Sequence, residues 1–422
     1  GLLMSIVVPF HGLCYTNKIA KSNNVSKVVC PPYDMISNEL KLKLESKSKY
    51  NAVNLEAPES YEDAKELLDK WIKDEILTFS EKPSLYLYEA YYKIENETYC
   101  MKAIIGGLKL PKDGEDYIRT HENTFEKYKS DRMELFSTTK CEFSPICALY
   151  QDDDNLTLDI ISNIVRSHYI AKAKQNNVTH KIWEISDEET IKKLEQLFNN
   201  KTYYIADGHH RFATACAYRD KLEKDQKIDK DNPANYVMAL LVRQNDPSLT
   251  VLPTHRLVSN IEMFDSDEIL EKAAKYFDII NCQTLKSTRN TMFGYRRENK
   301  NAFGVYIDGE YKVLVLKDSE IMKTICDKSS AYRNLDVTVL HELLFNKILS
   351  LNSEQISYNQ SATKTRDAVD NGDACFAVFL SATRMNEIIE VADNRENMPQ
   401  KSTLFFPKPT TGLVFYPLEK KN

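Results

Sequence analysis

Tyr204-Ile205-Ala206-Asp207-Gly208-His209-His210-Arg211-Phe212-Ala213-Thr214-Ala215 is an apolar strand pattern that breaks at one glycine and restarts as a helix. Glycine is scarce in this chain, 11 in 422 residues, under half the roughly 7% average usage. A glycine at such a junction therefore answers a local demand. Gly208 can take a positive φ and lets another group approach the backbone. The first turn of the following helix leaves N–H groups unpaired and carries the positive end of the helix dipole. Together they read as an anion site, to which Arg211 adds a guanidinium fork suited to phosphate or carboxylate. His209 and His210 add two titratable donors. The plainer alternative is a structural strand-to-helix turn in which Asp207 is an N-cap. Phe212, Ala215, Cys216, Arg219 and Leu222 fall on one 3.6-period stripe, so that helix is expected to pack on a sheet.

Outward from this turn the first third alternates strands and helices. Lys27 to Cys30 reads as a strand running into Pro31-Pro32-Tyr33-Asp34, and Asn38 to Tyr50 as a polar helix. Ser60 with Asp63 starts a further helix whose apolar face is Ala64, Leu67, Leu68, Trp71, Ile72 and Ile76. Strands Ser84 to Tyr92 and Glu97 to Leu110 follow, joined by a polar turn. Ser144 to Tyr150 and Tyr236 to Val242 read as strands. The charge run from Glu126 to Glu134 reads as a solvated helix face or a lid. Leu335, Val337, Leu340, Leu343, Leu344 and Ile348 recur at helical spacing, and Cys375 to Leu380 is a buried-strand candidate. The class is mixed α/β (α+β). The pattern changes near residue 260, which divides the chain into domains 1–260 and 261–422.

The 56 Lys and Arg against 62 Asp and Glu give a net charge of −6 and a pI near 5.9. That balance argues against a broad grip on nucleic acid. Nine cysteines without a Cys-x-x-Cys pair indicate neither a disulfide framework nor a zinc ribbon, and fit a reduced cytoplasm. Leu2 to Phe10 reads as a buried strand rather than a signal peptide. No stretch approaches the about 20 apolar residues of a membrane span.

Four of the eight histidines, His121, His209, His210 and His255, sit in short polar clusters beside Glu122, Arg211 or Arg256. His121-Glu122-Asn123-Thr124-Phe125 lacks the second histidine of a His-Glu-x-x-His zinc site, and adjacent His209 and His210 do not make an i, i+4 pair. A phosphate site accounts for the clusters better. Phosphoryl transfer needs cations, a magnesium ligand and a carboxylate to accept the nucleophile's proton. Arg211 and the Gly208 backbone offer the first, Asp207 or Asp34 the second, and Glu122 the third, unless Glu122 is a helix-start carboxylate. Neither a P-loop nor a Gly-x-Gly-x-x-Gly fingerprint occurs. Thr254-His255-Arg256 and Lys401-Ser402-Thr403 lie beside strand patterns and read as solvated loops or as further pocket residues.

The ordered motifs Pro31-Pro32-Tyr33-Asp34, His121-Glu122-Asn123-Thr124, Ala206-Asp207-Gly208-His209-His210-Arg211, Pro253-Thr254-His255-Arg256, Leu335-Asp336-Val337 with Leu340-His341, and Met398-Pro399 through Lys401-Ser402-Thr403 to Pro407-Lys408 resemble the family known as domain of unknown function 1015. Their Asp-Gly-His-His-Arg turn is similar to the Gly-x-x-Arg phosphate turn of the ParB and sulfiredoxin superfamily, which includes free-serine kinases. Pro9-Phe10-His11-Gly12 departs from the Arg-Pro pair of that superfamily. The resemblance implies a ParB/sulfiredoxin-like nucleotide-binding core with a second α/β C-terminal domain that contributes the Lys-Ser-Thr segment. It implies an ATP-dependent kinase making O-phosphoserine from free L-serine, with ATP or ADP and Mg2+. Asp207, Gly208, His209, His210 and Arg211 would hold phosphate, with Asp207 also a magnesium ligand, and Glu122 with His121 would be catalytic. Asp34, His255, Arg256, Lys401, Ser402 and Thr403 would meet the amino acid. The competing readings are a nucleotide-responsive regulator and a metal-dependent hydrolase; nucleic-acid and membrane partners are not expected, and a homodimer stays open.

Overall fold

The structure, a computed structural model, describes residues 5–166, 169–226 and 228–420. The start of the expected Leu2 to Phe10 strand lies outside them, and its described part forms a two-residue strand, Val7–Val8. The chain divides into two compact units, Gly1–Leu249 with Pro407–Asn422, and Thr250–Phe406. The division thus falls before residue 260, and the last segment belongs to the first unit.

The first unit is built on a nine-stranded mixed sheet. From one edge its strands run Ile118–Arg119, Tyr203–Asp207, Ile146–Tyr150, Tyr236–Arg243, Glu97–Lys109, Leu85–Ile94, Val178–Ile185 and Tyr169–Gln175, with Val7–Val8 also paired to Glu97–Lys109. Alternate residues on these strands face one core: Leu85 and Leu87, Ile146 and Ala148, Tyr203 and Ile205, Val237, Ala239 and Leu241. Period-two alternation puts them on one side of the pleat. Helix Glu188–Phe198 adds Ile191, Leu194 and Phe198 to that side, and helix His209–Asp225 adds Ala215, with Phe212 and Cys216 packed against it.

Pairing at the sheet edge positions the site. Tyr203–Asp207 runs parallel to Ile118–Arg119, with Tyr203 opposite Ile118. Parallel strands end on the same side, so the loop starting at Thr120 emerges beside Gly208. Ile146–Tyr150 lies antiparallel on the other flank, with Asp207 opposite Cys147 after a break in register. Pro145 therefore enters at that same end.

The second unit holds a six-stranded antiparallel sheet, ordered Phe277–Cys282, Glu310–Leu316, Ala302–Ile307, Phe376–Phe379, His255–Val258 and Ile356–Asn359. Leu335 is buried, and Val337, Leu340, Leu343 and Leu344 join the core beside this sheet as their spacing predicts, although the helix is π-helical over Val339–Ile348. Two expectations fail locally. Lys27 to Cys30 forms no strand; it meets the sequence-distant Thr411 through a single bridge at Cys30. The charge run is a helix, Glu126–Thr139, and it is not wholly solvated, because Arg132 is buried with Leu135, Phe136 and Thr139. Among the described residues no helix is long and apolar enough to cross a membrane.

Candidate functional site

Gly208 is the N-cap of the His209–Asp225 helix, with φ of 90°. In that left-handed region a side chain is strained. A Cβ there would also lie 2.9 Å from Ile146 Cγ2 and 3.2 Å from the Arg211 guanidinium carbon. Phe212 N–H donates to the Gly208 carbonyl at 2.9 Å. The N–H groups of His209, His210 and Arg211 precede that first helical bond and have no acceptor within the helix.

Arg211 departs from the outward fork expected of it. It is 6% exposed, and it folds back so that Nη1 donates to the Pro145 carbonyl and Nη2 to Asp207 Oδ2 at 3.3 Å. The other Asp207 oxygen, Oδ1, accepts from Lys408 Nζ at 3.2 Å. Burial pushes the Asp207 carboxyl up, but Lys408 and Arg211 outweigh burial and hold it below the usual carboxylate range. With both oxygens facing cations, Asp207 does not suit the magnesium-ligand role expected of it. Among the described residues no three His, Cys, Asp or Glu side chains gather as metal ligands.

His121 and His209 are buried, whereas His210 is only partly so. His209 is 3% exposed, and its Nε2 accepts the His121 backbone N–H at 3.2 Å. Acceptance at Nε2 assigns the proton of the neutral ring to Nδ1. Nδ1 lies 3.5 Å from Glu122 Oε2, too long for a normal hydrogen bond. The His121 and His209 rings meet edge to face at 4.6 Å. Burial keeps both neutral, lowering His121 to about 4 and His209 well below its ordinary value, the latter with help from His121. The Glu122 side chain, by contrast, is 44% exposed. His210 stacks on Phe125 at 5.7 Å and meets Tyr128 edge-on at 5.2 Å. Burial lowers its pKa while Asp34 raises it.

Asp34 is exposed on the short turn Tyr33–Met35. It borders a cavity of about 480 Å³, also lined by Lys41, Tyr61, Tyr128, Asp131 and Arg132. Arg132 forms the cavity's deep wall. Its guanidinium binds Glu56 at 2.5 Å and Asp131 at 2.9 Å, and lies 3.6 Å from the Tyr33 ring centroid. The Glu56 carboxylate also accepts from the Ser144 hydroxyl.

The remaining expected residues belong to the second unit. Arg256 is buried and donates to His341 Nε2 and to the carbonyls of Thr254, Gln400 and Lys401. Its fork is committed to ordering the chain around it. His255 accepts the Leu380 N–H, and burial lowers it to about 4. Ser402 is buried and donates to the Pro399 carbonyl, Lys401 is exposed in the left-handed region, and Thr403 precedes strand Leu404–Phe406. Two residues of the first-unit cluster escaped sequence reading. Lys408 lies in the Pro407-Lys408 motif, 201 positions from Asp207. Arg132 was hidden in a charge run, although Leu135, Phe136 and Thr139 mark the buried side of the same helix.

A family model described as "Protein of unknown function (DUF1015)" matches residues 7–338. The chain belongs to this family. No curated protein matches. Among solved structures, a free serine kinase in complex with AMP is 13% identical, covering 74% of this chain and 91% of its own at a TM-score of 0.34. A conserved hypothetical protein from Pyrococcus furiosus is 13% identical over 72% of this chain and 91% of its own, TM-score 0.32. SbnI with a C-terminal truncation, from Staphylococcus aureus, is 11% identical over 74% and 87%, TM-score 0.35. Likenesses this slight carry no argument about activity.

Proposed function

We propose that the protein is a small-molecule kinase that transfers a phosphoryl group from ATP to the hydroxyl of free L-serine, giving O-phosphoserine and ADP. One observation carries the reading: an exposed carboxylate, Glu122, stands beside the open first turn of the His209–Asp225 helix, linked to it through His209. A helix N-terminus after a glycine accepts phosphate through unpaired N–H groups. In this reading the strand-turn-helix is the core of a ParB/sulfiredoxin-like nucleotide site. Glu122 takes the proton from the acceptor hydroxyl, whose oxygen forms the new bond to the terminal phosphorus. The bond from that phosphorus to the bridging oxygen breaks, and ADP leaves. Asp34, on the cavity that also borders Tyr128, supplies the acid for the ammonium of the amino acid. Magnesium enters with the nucleotide, since this ion keeps its waters and binds largely through phosphates.

Incubating the full chain with ATP, magnesium and single free amino acids should yield phosphoserine and ADP with serine alone. Glu122→Gln keeps shape and removes the base, so turnover should fall roughly 10²–10⁴-fold, with ADP affinity and melting temperature near the parent's. A serine-independent, slow hydrolysis of ATP would overturn the kinase reading in favour of a nucleotide-responsive regulator. A Glu122→Gln protein that melts early but keeps its specific activity would make Glu122 structural.

A further inference from the structure

Arg211, the guanidinium nearest the Gly208 turn, spends both terminal nitrogens inside the protein. Lys408 does not. It arrives on the segment that returns to the first unit after Phe406, beyond the residues the family model spans. Prolines 407 and 409 flank it with fixed φ, and the chain beyond is anchored. Thr410 N–H donates to the Tyr88 hydroxyl at 3.1 Å, and Thr411 exchanges both backbone bonds with Cys30. That anchoring delivers the ammonium to Asp207 Oδ1 at 3.2 Å, one residue before Gly208, with the lysine side chain still 19% exposed. An ammonium has three donors. Among the described residues Asp207 engages one of them.

Charge points the same way. Two cations share one carboxylate, so Asp207, Arg211 and Lys408 together carry one net positive charge on the Asp207 side of the turn, while the Glu122 carboxylate lies on the His209 side. The first turn also keeps an unmet polar atom: His209 Nδ1, on a nearly buried ring, has no hydrogen-bond partner among the described residues and faces Glu122. We infer that Lys408, and not Arg211, is the cation that contacts the ligand's phosphate at the Gly208 turn, with Asp207 holding the ammonium in place. This rests on the phosphate reading of that turn.

Calorimetry of the full chain with ADP, inorganic tripolyphosphate and adenosine separates the two claims. Lys408→Met keeps the apolar stem and removes the charge. It should weaken ADP and tripolyphosphate about tenfold or more, the lower end for a hydrogen bond to a charged group, and leave adenosine unchanged. Lys408→Arg, which keeps the charge should the Met variant melt early, should retain most of the affinity. In Asp207→Asn/Lys408→Met the binding should stay weak, because the phosphate contact is still missing. Recovery of parent affinity in that double variant would mean that Lys408 only neutralises Asp207, and would overturn the inference. So would parent-like ADP affinity in folded Lys408→Met, with the phosphate site left standing. If the parent itself binds neither ADP nor tripolyphosphate, the phosphate reading fails first.

Discussion

Gly208 and Arg211 show how one position can serve conformation and packing together. The positive φ turns the chain from strand to helix, and the missing Cβ leaves room for the Arg211 guanidinium to fold back onto Asp207 and Pro145. Gly208→Ala therefore meets two penalties, backbone strain of about 1–3 kcal/mol and an overlap with Ile146 that small shifts must relieve. Urea unfolding should show a loss of at least that strain. An unchanged midpoint would mean that the turn can adopt another conformation. Glu122 differs in kind: its exposure and its place beside a buried neutral histidine make Glu122→Gln a test of chemistry, where Gly208→Ala is a test of folding.

Helix Glu126–Thr139 carries a charged sequence, yet one of its charges is a core residue. Arg132 sits between the carboxylates of Glu56 and Asp131 with Tyr33 over its plane, and Glu56 in turn holds Ser144. Removing one partner of a buried pair strands the other in a poorly solvating interior. Arg132→Met should cost about 3–5 kcal/mol, measured by urea or thermal unfolding. Arg132→Lys should recover little, because an ammonium cannot reproduce the planar fork on two carboxylates and an aromatic face. A loss under 1 kcal/mol would show that the network closes again without the arginine.

The whole molecule buries several histidines that cannot easily charge. Burial holds His121, His180 and His255 near 4, whereas unfolded histidines titrate near 6.5. Between those values the unfolded chain binds more protons, so stability is complete above about 6.5 and is lost as pH falls towards 4. Two buried carboxyls act oppositely. Burial raises Glu142 to about 8 and Asp336 to about 6, so each favours the folded state in its protonated form and weakens it as pH rises to that value. Those histidines, joined by His341, also held near 4, and by His209, outweigh the two carboxyls below pH 6, and Glu142 remains between about 6.5 and 8. Melting temperature should therefore rise from pH 4.5, peak near pH 6.5 and decline towards pH 8. Glu142→Gln should flatten the decline. A melting temperature still rising from pH 6.5 to 8 would contradict the neutral, buried state of Glu142.

What the amino-acid order determines by itself lies within a turn or two of each residue. Ser60 caps the helix Tyr61–Lys73 through the Asp63 N–H, and Ala64, Leu68 and Trp71 face inward as their spacing requires. The Leu85–Ile94 and Glu97–Lys109 strands pair around their polar turn, and the strand-glycine-helix at 203–225 forms where the pattern changes period. Local backbone chemistry and apolar periodicity suffice for these. Tertiary structure alone decided the rest. The parallel pairing with Ile118–Arg119 brings His121 and Glu122 to the Gly208 turn, Arg211 turns inward and Arg256 commits its fork to carbonyls, and Lys408 reaches Asp207. A long cationic side chain is equally compatible with solvent, a ligand or a buried carbonyl. Its destination depends on which distant carboxylates and carbonyls the folded chain brings within reach, and the spacing of neighbours in sequence does not encode that.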